Sequence, residues 1–356
     1  GRRRTGGVAL DPALRVRMLS SLTNPNVLVG AFLLTILQVL AALPWYRSVD
    51  PKGFARLKSG EGLLGLLGVL LALWAVAAVA LGYKASSASL PFYGRIYAAV
   101  LHLQLLVDLF IYGPVFLAYI WPKGGAVALA AYREGWRQPM FWLITGFGLV
   151  ATWIAVILPY FTFGDDFKMM KQIGFDLIML AAVLFGILAA SISISEEIEG
   201  RTAITLMSKP INRRQFLLGK YVGILLACGG MSLILGWNLN WALIAMPEFD
   251  PINKDRAFDP MPEQAKLAFT PKIVGAMPQG PAKALAEGIG AWTGETFANS
   301  FHILWGFGQV MILVSIATAL ATRLPFVVNV VLCLVVYFLG HLAPVLVRVS
   351  DKLGEN

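Results

Sequence analysis

Residues 176–220 read DLIMLAAVLFGILAASISISEEIEGRTAITLMSKPINRRQFLLGK, and their alternation of apolar and charged stretches decides the fold. Asp176 to Ser195 carries no charge after Asp176, and the run that follows, Phe216 to Met246, carries only Lys220. Each is long enough to cross a hydrocarbon core about 30 Å thick. The segment between them, 196–214, is therefore a membrane-exposed loop joining two spans. Within it Ala203, Ile204, Leu206 and Met207 recur at three- and four-residue spacing, with Glu199, Arg201, Thr205, Ser208 and Lys209 between them, so the spacing predicts a short amphipathic helix. Glu197 and Arg201 form a favourable i,i+4 pair. Pro210 ends that helix, and Asn212 with Gln215 has the capping-box pattern that starts the next span at Arg213. Helix, stop and helix describe a rigid knob.

Working outward, 58% hydrophobic residues, 14% charged residues and a mean hydropathy of +0.71 exclude a soluble globular domain of this size. The chain is an all-α, polytopic transmembrane helix bundle with about eight apolar spans, amphipathic interface helices and one extracytoplasmic excursion. The net charge of +9 lies in short loops beside apolar runs, where headgroups and cytoplasmic retention account for it, and not in a nucleic-acid surface. Cys228 and Cys333 fall inside apolar runs, so neither a disulfide framework nor a thiolate metal site is expected.

Two readings of the knob compete. One treats it as an ordinary basic cytoplasmic loop with a surface helix. The other rests on resemblance: EEIEGRT (196–202) followed by LMSKPINRRQFLLGKY (206–221) resembles the signature of type-2 ABC transporter permeases, and is most similar to the branch associated with multicopper-enzyme maturation. The resemblance implies a cytoplasmic loop holding a coupling helix that docks on a separate ATP-binding subunit. Under it, Ile204, Leu206 and Met207 are the apolar docking face, and Glu196, Glu197, Glu199 and Arg201 a charged collar. Pro210 is the stop that passes displacement to the next span, whose start carries Arg213 and Arg214. Gly219 is read as permitting close helix packing, and Lys220 as snorkelling to the headgroups.

From the N-terminus, residue 1 is Gly rather than Met, so a fragment or a processed form is expected. Asp11-Pro12 starts a helix lying in the interface. The first span, Val27 to Leu43, closes at Pro44-Trp45-Tyr46, and a basic loop with Arg47, Lys52, Arg56 and Lys58 follows. Leu63 to Gly82 and Tyr97 to Ile120 are the second and third spans. The third holds His102, Gln104, Asp108 and Pro114. Intramembrane ionisable groups are candidates for function, but His102 and Asp108 lie on different helix faces, so a polar residue bonded to a neighbour is the simpler reading, with Pro114 marking a kink. Residues 1–125 thus form an N-terminal region of about three spans, and 126–356 the permease core.

Ala126 to Gln138 is a second interface helix, resembling the elbow helix before the first core span of these permeases. Met140 to Phe161 is the fourth span, ending at Pro159-Tyr160-Phe161. This order of helix, Pro, apolar run and Pro-aromatic exit occurs twice, as a weak internal repeat or as generic interface chemistry. A turn, Thr162 to Gln172, leads to the fifth span. After the sixth, the loop 247–300 holds seven prolines and Glu248, Asp250, Asp255 and Asp259, with an amphipathic helix at Ala282 to Phe297. The seventh and eighth spans, Phe301 to Ala321 and Leu324 to Val347, are separated by Thr322-Arg323.

Positive charge puts the knob in the cytoplasm and the 247–300 loop outside. Eight crossings then leave both ends outside, whereas the basic N-terminal tail favours the cytoplasm. A third run that does not fully cross, missing upstream residues, or a tail that is outside would each account for this. Five spans follow the elbow where the resembled core has six, as if a last span were lacking.

No G-x-x-x-x-G-K-[ST] occurs, so ATP and Mg are expected on a partner subunit, with no cofactor, metal or catalytic residue in this chain. The three histidines, at 102, 302 and 341, make no cluster. The expected function is the permease subunit of an ABC exporter, not an enzyme, working as a homo- or heterodimer with an ABC ATPase in a bacterial cytoplasmic membrane. The alternative is a membrane-embedded assembly factor or enzyme working through its extracytoplasmic loop.

Overall fold

The computed structural model describes residues 25–84, 89–158, 166–199, 212–249, 274–275, 277 and 279–354. Ten α-helices and no strand occur among them: α1 Pro25–Val49, α2 Pro51–Arg56, α3 Gly60–Lys84, α4 Leu90–Ile120, α5 Pro122–Arg137, α6 Pro139–Ile157, α7 Asp166–Glu199, α8 Arg213–Phe249, α9 Pro281–Leu320 and α10 Phe326–Gly354. All but α2 and α5 are long and apolar enough to cross a membrane, making eight candidate spans among the described residues. The chain is an all-α, multi-pass membrane protein.

All eight expected spans are present, and their ends differ for local reasons. Pro44 does not close the first span but sits inside α1, which runs to Val49. A proline near the end of a helix removes one hydrogen bond and leaves the later turns intact. The basic loop after it contains α2, whose N-cap Asp50 accepts from the Gly53 N–H at 2.8 Å. Pro114 lies within α4 without ending it, and α4, at 31 residues, is long enough to cross. The expected turn at Thr162 to Gln172 is helical from Asp166 onward, as the first turns of α7. Ala282 to Phe297 is helical as expected, but it is continuous with the seventh span in the 40-residue α9. Ala298, Asn299 and Ser300 offer no Pro or Gly to break it. The interface helix at Asp11-Pro12 and the exit at Pro159-Tyr160-Phe161 lie outside the described residues.

The chain divides into two compact units, 1–109 with 259–297, and 110–258 with 298–356. This division rests on contact, whereas the division at 125 and 126 rests on resemblance. In the first unit, Val27 and Ala31 of α1 pack with Ala78 and Leu81 of α3, Leu90 of α4 and Leu285 of α9. A Cβ at Gly94 or Gly288 would meet the backbone of the other helix at Leu285 or Pro91, so α4 and α9 touch backbone to backbone here. An apolar cavity of about 450 Å³ lies among Leu34, Leu73, Ala77, Leu81, Tyr97 and Leu285. Gln38 Nε2 donates to Gln104 Oε1 at 2.8 Å, so Gln104 makes the neighbour bond expected within the third span. His102 instead packs edge-on against Trp292, with ring centroids 6.3 Å apart, and Asp108 Oδ1 is buried without a hydrogen-bond partner among the described residues.

In the second unit α7 and α8 are central and mostly buried, whereas α10 is mostly exposed. Phe141, Phe185, Met231, Leu235, Leu239, Val310 and Val314 form the core between them and α6 and α9. Lipid supplies no hydrophobic drive between helices, so small residues and polar pairs carry the packing. A Cβ at Gly148 would lie 3.0 Å from Leu235 Cδ2, and one at Gly306 would lie 2.9 Å from Met179 Sδ. Asn299 Nδ2 donates to Asn240 Oδ1 at 2.6 Å, and Trp153 Nε1 to Asn238 Oδ1 at 3.1 Å. Cys228 and Cys333 are buried and free.

Candidate functional site

The site is built where α7 and α8 leave and re-enter the bundle on either side of segment 200–211. Helix α8 starts at Arg213, and Gln215 Oε1 accepts from the Asn212 N–H at 3.2 Å, the reciprocal half of a capping box. Arg213 and Arg214 are exposed in its first turn. Glu196, Glu197 and Glu199 extend α7 by its last turn, and their side chains lie outside the description. Arg201, Ile204, Leu206, Met207 and Pro210 lie outside the described residues.

Inside this boundary α5 and α8 are locked together. A Cβ on Gly219 would lie 2.7 Å from Val127 Cβ and 2.8 Å from the Gly124 carbonyl, so the expected role of Gly219 in close packing is what the structure shows. One turn on, Gly223 meets Ala128, and further on Ala227 meets Gly135. Both helices therefore advance in the same direction along a shared stripe of Gly and Ala. The amphipathic face of α5, buried at Gly124, Val127, Ala128, Ala131, Tyr132 and Gly135, packs into the bundle, largely against α8. Residues this small make poor lipid anchors but let two backbones approach closely.

Lys220 departs from expectation. It does not snorkel to the headgroups: it is 4% exposed, and its Nζ donates to Glu134 Oε2 at 3.0 Å and to Ser193 Oγ at 2.7 Å. With the carboxylate of α5 within reach, pairing replaces the solvation that snorkelling would have supplied. A second polar clasp sits one short step away on α7. Asn329 Nδ2 of α10 donates to Ser191 Oγ at 2.9 Å and to the Ala317 carbonyl of α9 at 3.0 Å. The run Ser191-Ile192-Ser193-Ile194-Ser195 thus ties α7 to α5 and α8 through one serine and to α9 and α10 through another. Neither Glu134, Ser193, Ser191 nor Asn329 was singled out from sequence, and the only local signal was an alternating Ser-Ile run at the end of an apolar span.

Next to the clasp, Trp136 closes α5 within an aromatic cluster. Its ring lies 5.1 Å from Phe141, 4.9 Å from Trp142 and 5.3 Å from Phe110, and Phe141 lies 5.2 Å from Phe185. Tyr132 donates to the Phe110 carbonyl at 3.0 Å, and burial pushes its phenol up to about 12.

The stretch that contains α6, α7, segment 200–211 and α8 also decides the comparison with known proteins. Residues 136–252 match the model of the ABC-2 family transporter protein. That match, about a third of the chain, supports a permease subunit of an ABC transporter, the membrane component of such machines. Ser193 and Lys220 lie inside the ABC-2 match, and Glu134 lies just before it. An ABC-2 permease implies an ATPase partner and a lipid surround. No curated protein and no solved structure matches the chain.

Proposed function

We propose that the chain is the permease subunit of an ATP-driven exporter, with segment 196–214 facing the cytoplasm and docking on a separate ATP-binding subunit that carries ATP and Mg. The observation that supports this reading best is the anchoring of the two helices that flank the segment. The two helices that carry the segment are the most buried of the spans, and both are clasped to their neighbours beside it. A displacement applied there enters the whole bundle instead of bending one loop. Ile204, Leu206 and Met207 would insert into a groove of the ATPase, with Glu196, Glu197, Glu199 and Arg201 as the collar.

Charge supports the sidedness. Arg213 and Arg214 occupy the first turn of α8, where the helix dipole disfavours cations. They serve a partner or headgroups at the expense of the helix. Arg47, Lys52, Arg56 and Lys58 between the first two spans, and Arg133 and Arg137 in α5, fall on the same side in this topology, as cytoplasmic retention favours. The 250–280 region then faces outward. We extend the reading to a homo- or heterodimer in a bacterial cytoplasmic membrane, in the branch associated with multicopper-enzyme maturation, on the residues that carry that resemblance.

Two measurements test it. Leu206→Asp is expected to abolish co-purification of an ATPase while the chain stays in the membrane, and unchanged association would overturn docking. A cysteine at Ser208 is expected to react with an impermeant maleimide only after permeabilisation, and reaction from outside intact cells would overturn the sidedness.

A further inference from the structure

Lys220 lies seven residues, or about 10 Å, inside the start of α8. It joins three helices: its own, α7 through Ser193, and α5 through Glu134. These two partners, Ser193 and Glu134, differ in setting. Ser193 is 4% exposed, while the Glu134 side chain is 41% exposed. An ion pair this exposed stabilises a fold modestly. Its geometric effect is larger. The Gly219 and Gly223 contacts, with Val127 and Ala131 set against them, hold α5 and α8 at a close separation. The Lys220 to Glu134 bond adds a directional tie between the two helices along the shared axis. Beyond Glu134 the path continues through Trp136 into Phe141 of α6 and Phe185 of α7.

We propose that Lys220 is a positioning residue: its bond to Glu134 fixes the register of α5 against α8, so that α5, α7 and α8 move as one body when segment 200–211 is displaced. The source of the displacement rests on the proposed permease reading. The register lock itself does not, since it is a property of the chain alone.

The test uses the full chain in lipid nanodiscs with spin labels on cysteines placed at Arg133 of α5 and Leu218 of α8, both exposed. Cys228 and Cys333 are buried and stay unlabelled. The expected result is one narrow distance distribution in the parent and in Lys220→Arg, a broadened one in Lys220→Met and Glu134→Gln, and recovery in the charge-swapped pair Lys220→Glu with Glu134→Lys. A distribution in Lys220→Met as narrow as the parent's, or no recovery in the swapped pair while the Lys220→Arg chain is narrow, overturns the lock. Labels at Arg133 and Leu339 of α10 then report movement in the complex with its co-purified ATPase. ATP is expected to shift this distance in the parent, and Lys220→Met is expected to lose the shift while still binding the ATPase and hydrolysing ATP. A shift that persists in Lys220→Met overturns the transmission role. Failure of any ATPase to co-purify with the parent counts against the permease reading and leaves the lock to be judged by the first pair of labels.

Discussion

Asn329 of α10 donates through Nδ2 to Ser191 Oγ of α7 at 2.9 Å, across 138 residues of sequence. The same amide reaches the Ala317 carbonyl, and its Oδ1 accepts from Cys333 Sγ at 3.5 Å. Asn329 is fully buried, so each of these bonds replaces water that has no access. Asn329 is one of three buried residues among those described in α10, with Cys333 and Tyr337, and the polar one among them.

Asn329→Leu should therefore loosen α10 by about 1–2 kcal/mol, the upper range for polar pairs between membrane helices. The buried thiols provide the readout. A thiol-reactive fluorophore should reach Cys333 at a lower temperature in the variant than in the parent, and unchanged melting would mean that apolar contacts alone secure the helix.

Gly219 and Gly223 should tolerate nothing larger. Gly219→Val would drive side-chain atoms into Val127 and the Gly124 carbonyl, costing about 1–3 kcal/mol or more because a backbone atom cannot step aside. Gly146→Ala and Gly308→Ala, where a Cβ meets nothing within 4 Å and alanine is the better helix former, are expected to keep or slightly raise the melting temperature. Equal melting of all three variants would show that α5 and α8 are not in backbone contact.

Tyr132 sets an alkaline limit. Its phenol is pushed from 10.0 up to about 12 by burial, so between these values the folded chain holds a proton that the unfolded chain has released. The contribution is fully present below pH 10 and is lost as the pH rises toward about 12. Tyr132→Phe should flatten that limb of the stability curve, at the cost of about 1 kcal/mol at neutral pH for the lost bond to the Phe110 carbonyl. Parallel alkaline limbs in the two proteins would mean that other groups dominate.

Arg213 and Arg214 should show opposite effects in two assays. Replacing both with Gln relieves an unfavourable dipole interaction of about 0.3–1 kcal/mol each, so the chain should melt slightly higher. Co-purification of the ATPase should fall in the same variant. A chain that melts lower, with association unchanged, would place these residues in the fold and not at a docking surface.

What could be read along the chain was what depends on near neighbours. Eight apolar runs announced eight spans, because a span needs only length and hydropathy. Asn212 with Gln215 announced the start of α8, because a capping box closes within four residues, and Gly219 announced close packing, though not against which helix. What needed the tertiary structure was every relation between distant parts. Ala282 to Phe297 and the seventh span read as separate because their compositions differ, yet one unbroken helix carries both. Lys220 read as a headgroup ligand, the default for a lysine near the end of a span. Its partner is a glutamate 86 residues away, brought within reach by glycines that let two backbones close up. Hydropathy and periodicity are properties of a single helix, whereas the choice between water and a carboxylate belongs to whichever helix packs beside it.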